Sequence, residues 1–264
     1  MAASRATAHP VILTYHSISE GDSPLKVSPK LFAEQMEWLA AVKLHNLRVI
    51  SLTELMDHWG DVASLEPGCV VLTFDDGYAD FHSNAAPVLL RLKLPATVFL
   101  PTAFVGRTNA WPGQPAWVKE EWLMDWEQIR ELSEAGIDFG SHTAGHPNLC
   151  SLDRATVERE LTESKHEIEQ RLGRPVRHFC YPYGKWNRSV RASTARHYLS
   201  ACTTIAGTVG AESDRQLLPR VDAHYVRNPR WFRAMFTRRF EAYIATRRLI
   251  RRARGQPEGG YPSG

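Results

Sequence analysis

Residues 68–78 read GCVVLTFDDGY, an apolar run followed by two adjacent aspartates, a glycine and a tyrosine. The run over 68–75 has the length of a β-strand. It is too uniformly apolar for a sheet with one solvent-exposed face, which predicts a strand buried on both sides. Asp75 and Asp76 then stand side by side, although neighbouring side chains of a strand point to opposite faces. The pair therefore either caps a turn or carries chemistry.

Strands and helices alternate on both sides of this run. Apolar runs of strand length, bounded by polar or Gly/Pro-containing segments, are found at 10–16, 47–52, 68–75, 95–101, 137–142 and 177–184. Helical periodicity, with Ser28 or glycine caps at some ends, is found at 28–42, 79–93, 125–136 and 152–173. This order predicts an α/β fold with a largely parallel sheet, and its repetition favours closure into a barrel.

The composition is that of a globular protein. The chain has 264 residues, of which 43% are hydrophobic and 23% charged, and its formal net charge is +3. Such a length suits one large α/β domain or two small ones. Arginines are concentrated in the last third, so the basic character belongs to the tail and not to the whole molecule.

The N-terminal sequence and the cysteines bear on the compartment. The first residues lack the apolar core of a secretory signal, and no window approaches the ~18 apolar residues of a membrane span, so a cytoplasmic location is predicted. The four cysteines are widely spaced without a C-x-x-C pair, which argues against a zinc ribbon or a redox motif. We expect free thiols, most of them buried.

Polar residues with metal-binding chemistry follow two of the predicted strands. Asp75 and Asp76 end one strand, and His142 and His146, in GSHTAGHP, follow another. In a parallel barrel these strand ends converge on one mouth. Two imidazoles and one carboxylate leave positions open on a divalent metal, as in a catalytic site. The second carboxylate can then take a proton from the attacking water.

Each motif alone has a plainer interpretation. Two aspartates before a glycine are more often a turn, and Gly145 and Pro147 argue against a helix that presents both imidazoles. The combination, with each motif at the end of a predicted buried strand, favours the metal site.

The combined motifs resemble those of the polysaccharide deacetylase family, the NodB-homology group of carbohydrate esterases. TFDDGY at 73–78, SHTAGHP at 141–147 and FCYPYG at 179–184 match its three leading motifs in order and spacing. The resemblance extends to LTYHSI near the start, LMDWEQIRELSEAG before the histidines and LPRVD at 218–222, and so covers roughly residues 10–225. The third motif looks most like the branch that includes poly-N-acetylglucosamine deacetylases.

The resemblance implies a distorted (β/α)7 barrel and a set of roles. Asp76, His142 and His146 would bind the divalent metal, often zinc, and Asp75 would be the general base. The turn formed by Tyr181, Pro182, Tyr183 and Gly184 would line the substrate groove, with the Tyr183 backbone N–H helping to hold the oxyanion. Core packing is the alternative role for Tyr181 and Tyr183.

The chain departs from the wider family at two points. Many members carry an arginine in the third motif that orients the catalytic aspartate, but Cys180 stands there in this chain. Arg220, in LPR, is the best replacement because it could fix Asp75 by a charge-assisted hydrogen bond; a surface arginine is the alternative. The usual late Leu-x-His motif is not evident, so His16 is the candidate general acid and His224 the runner-up, each against a structural role.

Two segments outside the motifs leave alternatives open. The long loop 102–124 suggests a lid or wall, and its residues Trp111, Trp117 and Trp122 either stack on sugars or cover the core. After a deacetylase domain over 1–225, the segment 226–254 has the pattern of a basic amphipathic helix. This helix either docks on the barrel or contacts an anionic membrane surface. Residues 255–264 are predicted to be a disordered tail.

The hypothesis from the sequence is a metal-dependent de-N-acetylase acting on an N-acetylated amino sugar in a polysaccharide or a glycan precursor. An O-acetyl esterase or a deformylase acting on a glycan is the nearest enzymatic alternative. A catalytically silent glycan-binding protein of the same fold is the third. No nucleic-acid-binding module accompanies the arginine-rich segment, so a nucleic-acid partner is not expected.

Overall fold

Parallel β-strands form the centre of the molecule. The computed structural model describes residues 9–41, 47–65 and 68–253. Within these ranges the strands are β1 (Val11–Tyr15), β2 (Arg48–Ile50), β3 (Cys69–Phe74), β4 (Thr97–Leu100), β5 (Asp138–Ser141), β6 (His178–Cys180), β7 (Ser200–Ala206) and β8 (Leu218–Asp222). The runs predicted as strands correspond to β1 to β6, and the LPRVD motif at 218–222 forms β8, whereas β7 was not predicted from the sequence.

Seven of the strands close into a barrel. Strand β1 pairs with β3 on one side and with β8 on the other, and the remaining neighbours follow in the order β3, β4, β5, β6, β7, β8. Strand β2 pairs only with the first half of β3, whose second half pairs with β4. The predicted distorted (β/α)7 barrel is confirmed.

Helices surround the barrel. They are α1 (Pro29–Ala41), α2 (Leu52–Asp57), α3 (Ala86–Leu92), α4 (Trp126–Glu134), α5 (Arg154–Leu172), α6 (Arg188–His197), α7 (Pro229–Arg233) and α8 (Arg238–Ala253). Local sequence explains the sharpest ends. Helix α4 begins at a capping box between Asp125 and Gln128. Helix α5 is capped by the side chain of Asp153 and ends at Gly173, whose φ of 65° suits glycine.

Two predicted helices are divided in the structure. The segment 79–93 contains a π-helical turn, Phe81–Ala85, before α3. Pro87 lies in the first turn of α3, where its missing N–H is not needed. The prediction of a single helix in the basic segment was wrong, because the chain turns between α7 and α8. At this turn the Thr237 hydroxyl accepts a hydrogen bond from the Phe240 N–H.

The basic segment packs on the barrel through one face. Phe240 and Ile244 of α8 are buried, while Leu249 is 62% exposed. Across the described ranges, none of the helices has both the length and the apolar character that crossing a bilayer requires. Membrane contact and the cytoplasmic location stay predictions, and residues 255–264 lie outside the described part.

The barrel interior and the space under the helices form separate apolar clusters. Odd-numbered residues of β1, such as Val11 and Leu13, pack under the helices, whereas Ile12 lies with Val71 and Leu218 in the other cluster. This is the period-two alternation of a strand. The same alternation directs the odd-numbered residues of β3 and the even-numbered residues of β8 into the barrel. As a result, Asp75, which follows β3, and Arg220 of β8 meet at the barrel mouth.

Gly140 in β5 tests how tightly this interior is packed. A Cβ atom at this position would lie 2.6 Å from the Phe99 ring and 2.8 Å from the His178 carbonyl oxygen. Because overpacking of a core typically costs about 1–3 kcal/mol, we expect Gly140→Ala to lower the free energy of unfolding by that amount in urea denaturation. Gly60→Ala is the control, since a Cβ there meets nothing within 4 Å. Equal free energies of unfolding for the two variants would show that the barrel interior is not tightly packed at Gly140.

Candidate metal centre and active site

The turn after β3 resolves the difficulty of two adjacent aspartates. The Asp75 N–H still donates to the Tyr15 carbonyl, so Asp75 keeps the strand direction and points into the barrel mouth. Asp76 then adopts a φ of 71°, which is uncommon for a residue other than glycine. This change of backbone direction breaks the alternation, and both carboxylates line the same cavity.

The two histidines lie on an irregular loop that follows β5. The His142 N–H donates to the Leu100 carbonyl at the end of the sheet. Thr143 has a φ of 70° and His146 a φ of 55°. The His146 N–H donates to the Thr143 hydroxyl over 2.9 Å, which closes the loop. Non-helical geometry between the histidines agrees with the sequence, where Gly145 and Pro147 disfavour a helix.

Asp76, His142 and His146 bring three possible metal-binding atoms together. Asp76 Oδ1 lies 3.4 Å from Nε2 of each histidine. The two Nε2 atoms are 3.2 Å apart, and all three side chains are buried. These atoms come from the end of β3 and from the loop after β5, as the sequence predicted.

The chemistry of these three donors fits a divalent cation. His142 Nδ1 lies 2.7 Å from the Cys180 carbonyl oxygen, which can only accept a hydrogen bond. The Nδ1 atom must therefore carry a proton, and Nε2 faces the Asp76 carboxylate. Burial lowers the pKa of His142, but interactions with Cys180 and Asp76 outweigh it and hold this pKa well above its usual value. The contact between Nε2 and the carboxylate is repulsive unless a cation or a proton lies between the two atoms. Burial lowers the pKa of His146 to about 4, so its ring is neutral at pH 7 and able to bind a metal.

A second grouping does not fit a metal. Asp75, His142 and Cys180 also lie close together. However, the guanidinium of Arg220 is hydrogen-bonded to Asp75 and lies 3.1 Å from Cys180 Sγ, so a cation there would meet a fixed positive charge. Burial also raises the pKa of the Cys180 thiol to about 11, so the thiol stays protonated.

Arg220 and Asp75 form a buried, bidentate ion pair. Arg220 Nη1 donates to Asp75 Oδ1 over 2.7 Å, and Nη2 donates to Oδ2 over 2.6 Å. The guanidinium is also bonded to the Thr203 carbonyl and the Thr73 hydroxyl. Arg220 is only 1% exposed, so it is not a surface arginine. Burial opposes ionisation of Asp75, but Arg220 outweighs it and holds the pKa of Asp75 below its usual value.

Of the two candidate general acids, the structure places only one at the mouth. His16 follows β1, lines the cavity, and its Nε2 lies 3.9 Å from Asp75 Oδ2. His224 is exposed in a short turn after β8, next to Tyr225, and does not line the cavity.

A cavity of about 660 Å³ opens over these groups. Tyr181 and Tyr183 line it, although Tyr181 is fully buried and packs against Phe179. Pro182 and Gly184 are buried in the same turn and are not among the residues that line the cavity, so their contact with substrate stays a prediction. A Cβ on Gly184 would lie 1.9 Å from the Thr204 hydroxyl, so only glycine fits there.

The tryptophans of the 102–124 loop have different environments. Trp111 is 3% exposed and its ring centroid lies 4.1 Å from that of His146, so it covers a proposed metal ligand. Trp117 lines the cavity, whereas Trp122 is 66% exposed and does not. The motifs identified neither the Trp111 contact nor the Cys180 carbonyl that orients His142. The unusual length of the 102–124 loop was the only sequence signal for the Trp111 contact.

The Arg220–Asp75 pair gives a stability test. Arg220→Met would leave Asp75 buried without its cation, and breaking such a pair typically costs about 3–5 kcal/mol. We expect that loss at pH 7 in urea denaturation. In the wild type, the depressed pKa of Asp75 contributes stability above its unfolded pKa, and this contribution is lost as the pH falls through the folded pKa. In the variant, Asp75 loses the partner that outweighs its burial, so its pKa should rise, and the difference in unfolding free energy between the two proteins should narrow in acid.

Arg215→Met is the matched control because Arg215 is exposed. It should change the free energy of unfolding by less than about 0.5 kcal/mol. An Arg220→Met variant as stable as this control, at every pH tested, would show that the ion pair does not stabilise the fold.

The family model described as "Polysaccharide deacetylase" matches residues 63–201. This range contains Asp75, Asp76, His142 and His146, together with the Tyr181–Gly184 turn. Arg220 lies beyond the matched residues.

Individual relatives agree with the family match. The Bacillus subtilis (strain 168) protein YxkH is 30% identical over 213 residues, which cover 80% of this chain and 70% of that protein. A poly-beta-1,6-N-acetyl-D-glucosamine N-deacetylase of Staphylococcus epidermidis is 25% identical over 218 residues, covering 78% of this chain and 71% of the relative. The fold resembles that of the Streptococcus pyogenes deacetylase PplD with a TM-score of 0.71 at 24% identity, covering 81% and 92% of the two chains. The chain belongs to the polysaccharide deacetylase family.

Proposed function

We propose that this protein is a metal-dependent de-N-acetylase that hydrolyses the acetamide of an N-acetylated amino sugar, in a polysaccharide or a glycan precursor, to a free amine and acetate. The observation that carries this proposal is the division of the aspartates: Asp76 faces two imidazoles, while Asp75 is held by Arg220 at the same mouth. The similarity to a poly-beta-1,6-N-acetyl-D-glucosamine N-deacetylase supports the amide substrate.

Asp76, His142 and His146 would hold the metal, which we propose to be zinc. Two imidazoles and a carboxylate are a common ligand set of catalytic zinc. The bound ion would supply Lewis-acid polarisation of the acetyl carbonyl and a lowered pKa for water. The Cys180 carbonyl would keep Nε2 of His142 directed at the ion by binding its Nδ1–H.

Asp75 is proposed as the general base. Its low pKa keeps it ionised at neutral pH, and the bidentate bond to Arg220 fixes its orientation. Asp75 would accept a proton from the attacking water as the new C–O bond forms at the acetyl carbon. The Tyr183 backbone N–H is proposed to stabilise the oxyanion of the tetrahedral intermediate.

His16 is proposed as the general acid. It lines the same cavity as Asp75, with Nε2 3.9 Å from Asp75 Oδ2, and would reach the amide nitrogen of the substrate from there. Protonation of the amide nitrogen by His16 would allow the C–N bond to break, which releases the amine and leaves acetate. His224 is less suitable because it does not line the cavity.

The same centre would also suit an O-acetyl or N-formyl group on a glycan, since both present a carbonyl to the same groups. A silent glycan-binding protein is less well supported. Burying an ionised carboxylate and a guanidinium carries a desolvation cost that sugar binding alone does not require.

Acetate release from N-acetylglucosamine oligomers tests the proposal. We expect release by zinc-reconstituted protein, its loss on chelation, and its return when zinc is added. Asp75→Asn should keep the metal and lose about 10²–10⁴-fold in kcat, because the base is removed. His142→Ala should lose the metal, whereas His166→Ala, at an exposed position of α5, should behave as the wild type.

The outcomes separate the alternatives. Metal binding without acetate release from the oligomers, followed by release from O-acetylated glycans, would replace the amide substrate by an ester. Wild-type protein that binds no divalent metal would contradict the proposed mechanism.

A further inference from the structure

A carboxylate outside the recognised motifs holds the loop that carries both histidines. The N–H groups of Ala144 and Gly145 both donate to Oε2 of Glu160, over 2.9 Å and 2.8 Å. Glu160 lies in the middle of α5 and is half-buried. A charged acceptor makes such bonds stronger than neutral ones.

This contact joins an irregular loop to a rigid helix. Helix α5 is fixed to β5 by a 2.6 Å hydrogen bond between the buried hydroxyls of Ser164 and Ser141. The loop itself has left-handed backbone at Thr143 and His146, a conformation that persists only when its surroundings impose it. Glu160 binds the two residues between these positions, where it can impose that geometry.

We propose that Glu160 is a positioning residue for the metal centre, acting through the backbone between His142 and His146. This inference rests on the metal site of the proposed function. Ligand atoms must be held within about 0.5 Å of their working positions. Loss of the Glu160 contact therefore lets the two imidazoles separate and weakens the binding of a divalent ion.

Variants of Glu160 test this role by two measurements. Glu160→Ala should raise the zinc dissociation constant about 10–100-fold in chelator competition, the range typical of supporting contacts. In the metal-free protein, it should also speed amide hydrogen exchange at Ala144 and Gly145. Glu160→Gln retains one carbonyl oxygen that can accept from both N–H groups. Its zinc affinity and its amide exchange rates at Ala144 and Gly145 should therefore lie close to those of the wild type. Glu163→Ala, at an exposed position of the same helix, is the control.

Unchanged exchange and unchanged zinc affinity in folded Glu160→Ala would overturn the inference. If Glu160→Ala does not fold, Glu160→Asp carries the same test, because its carboxylate is one methylene shorter and should bind the loop less well. A wild-type protein that binds no zinc would contradict the proposed function, while the exchange experiment would still decide whether Glu160 orders the loop.

His146 is held in a different way from His142. His142 Nδ1 is bonded to a carbonyl, but His146 Nδ1 has no hydrogen-bond partner in the described part of the chain. Instead, the His146 ring lies against Trp111, with centroids 4.1 Å apart and planes at 36°, and meets Tyr183 edge to face at 4.7 Å. Trp111 is in turn supported by Phe104, at a centroid distance of 5.6 Å.

We infer that the Trp111 ring takes the place of the missing hydrogen bond and orients His146 by packing. Among the described residues, neither the Trp111 indole N–H nor the Tyr183 hydroxyl has a hydrogen-bond partner. The flat face of the ring, not its N–H, is thus the feature that acts on His146. The inference rests on the proposed metal site but is independent of Glu160.

Two substitutions at one position separate the ring from the N–H. Trp111→Phe keeps an aromatic face and should bind zinc within about threefold of the wild type. Trp111→Leu removes that face and should weaken zinc binding about tenfold or more. Trp122→Leu is the control because Trp122 is exposed and lies outside the cavity. Wild-type zinc affinity in a folded Trp111→Leu protein would overturn the inference, and equal weakening in both Trp111 variants would show that the N–H is the feature that matters.

Discussion

The buried ion pair between Arg220 and Asp75 is the interaction on which the active site depends. Its partners are 145 residues apart in sequence, so it forms only when the barrel closes through β1, which pairs with β3 on one side and with β8 on the other. Because a carboxylate in the barrel interior must be paired to remain ionised, Arg220 also decides what each aspartate does. Asp75 is paired with the guanidinium, so of the two aspartates only Asp76 faces the imidazoles of His142 and His146.

Backbone strain is the second constraint on the site. Asp76, Thr143, His146 and Tyr183 all have φ near 55–71° without being glycine. Each such conformation costs on the order of 1–3 kcal/mol and persists only where surrounding structure imposes it. In this protein the strained residues follow within five residues of the ends of β3, β5 and β6, and the Glu160 carboxylate and the Trp111 ring contact the loop that carries the histidines. The rigid barrel and these contacts together bring Asp76, His142 and His146 from separate segments to one point.

Much of this arrangement could be predicted from residues that are close in sequence. The uniformly apolar strands revealed the parallel barrel, and the motifs after them revealed Asp75, Asp76, His142 and His146. Contacts distant in sequence were harder to predict. Glu160 has the pattern of an ordinary polar helix residue, Trp111 stands in a loop without periodicity, and the break before α8 depends on a local cap at Thr237.

X-ray absorption spectroscopy of the zinc-reconstituted protein would test the separate roles of Asp75 and Asp76 most directly, because it identifies the atoms that bind the metal. Ligation by Asp76, His142 and His146 predicts only nitrogen and oxygen neighbours at about 2.0–2.2 Å, with imidazole scattering. Sulfur at about 2.3 Å would place the metal at Cys180 beside Asp75. That result would contradict both the pairing of Asp75 with Arg220 and the separate roles of the two aspartates.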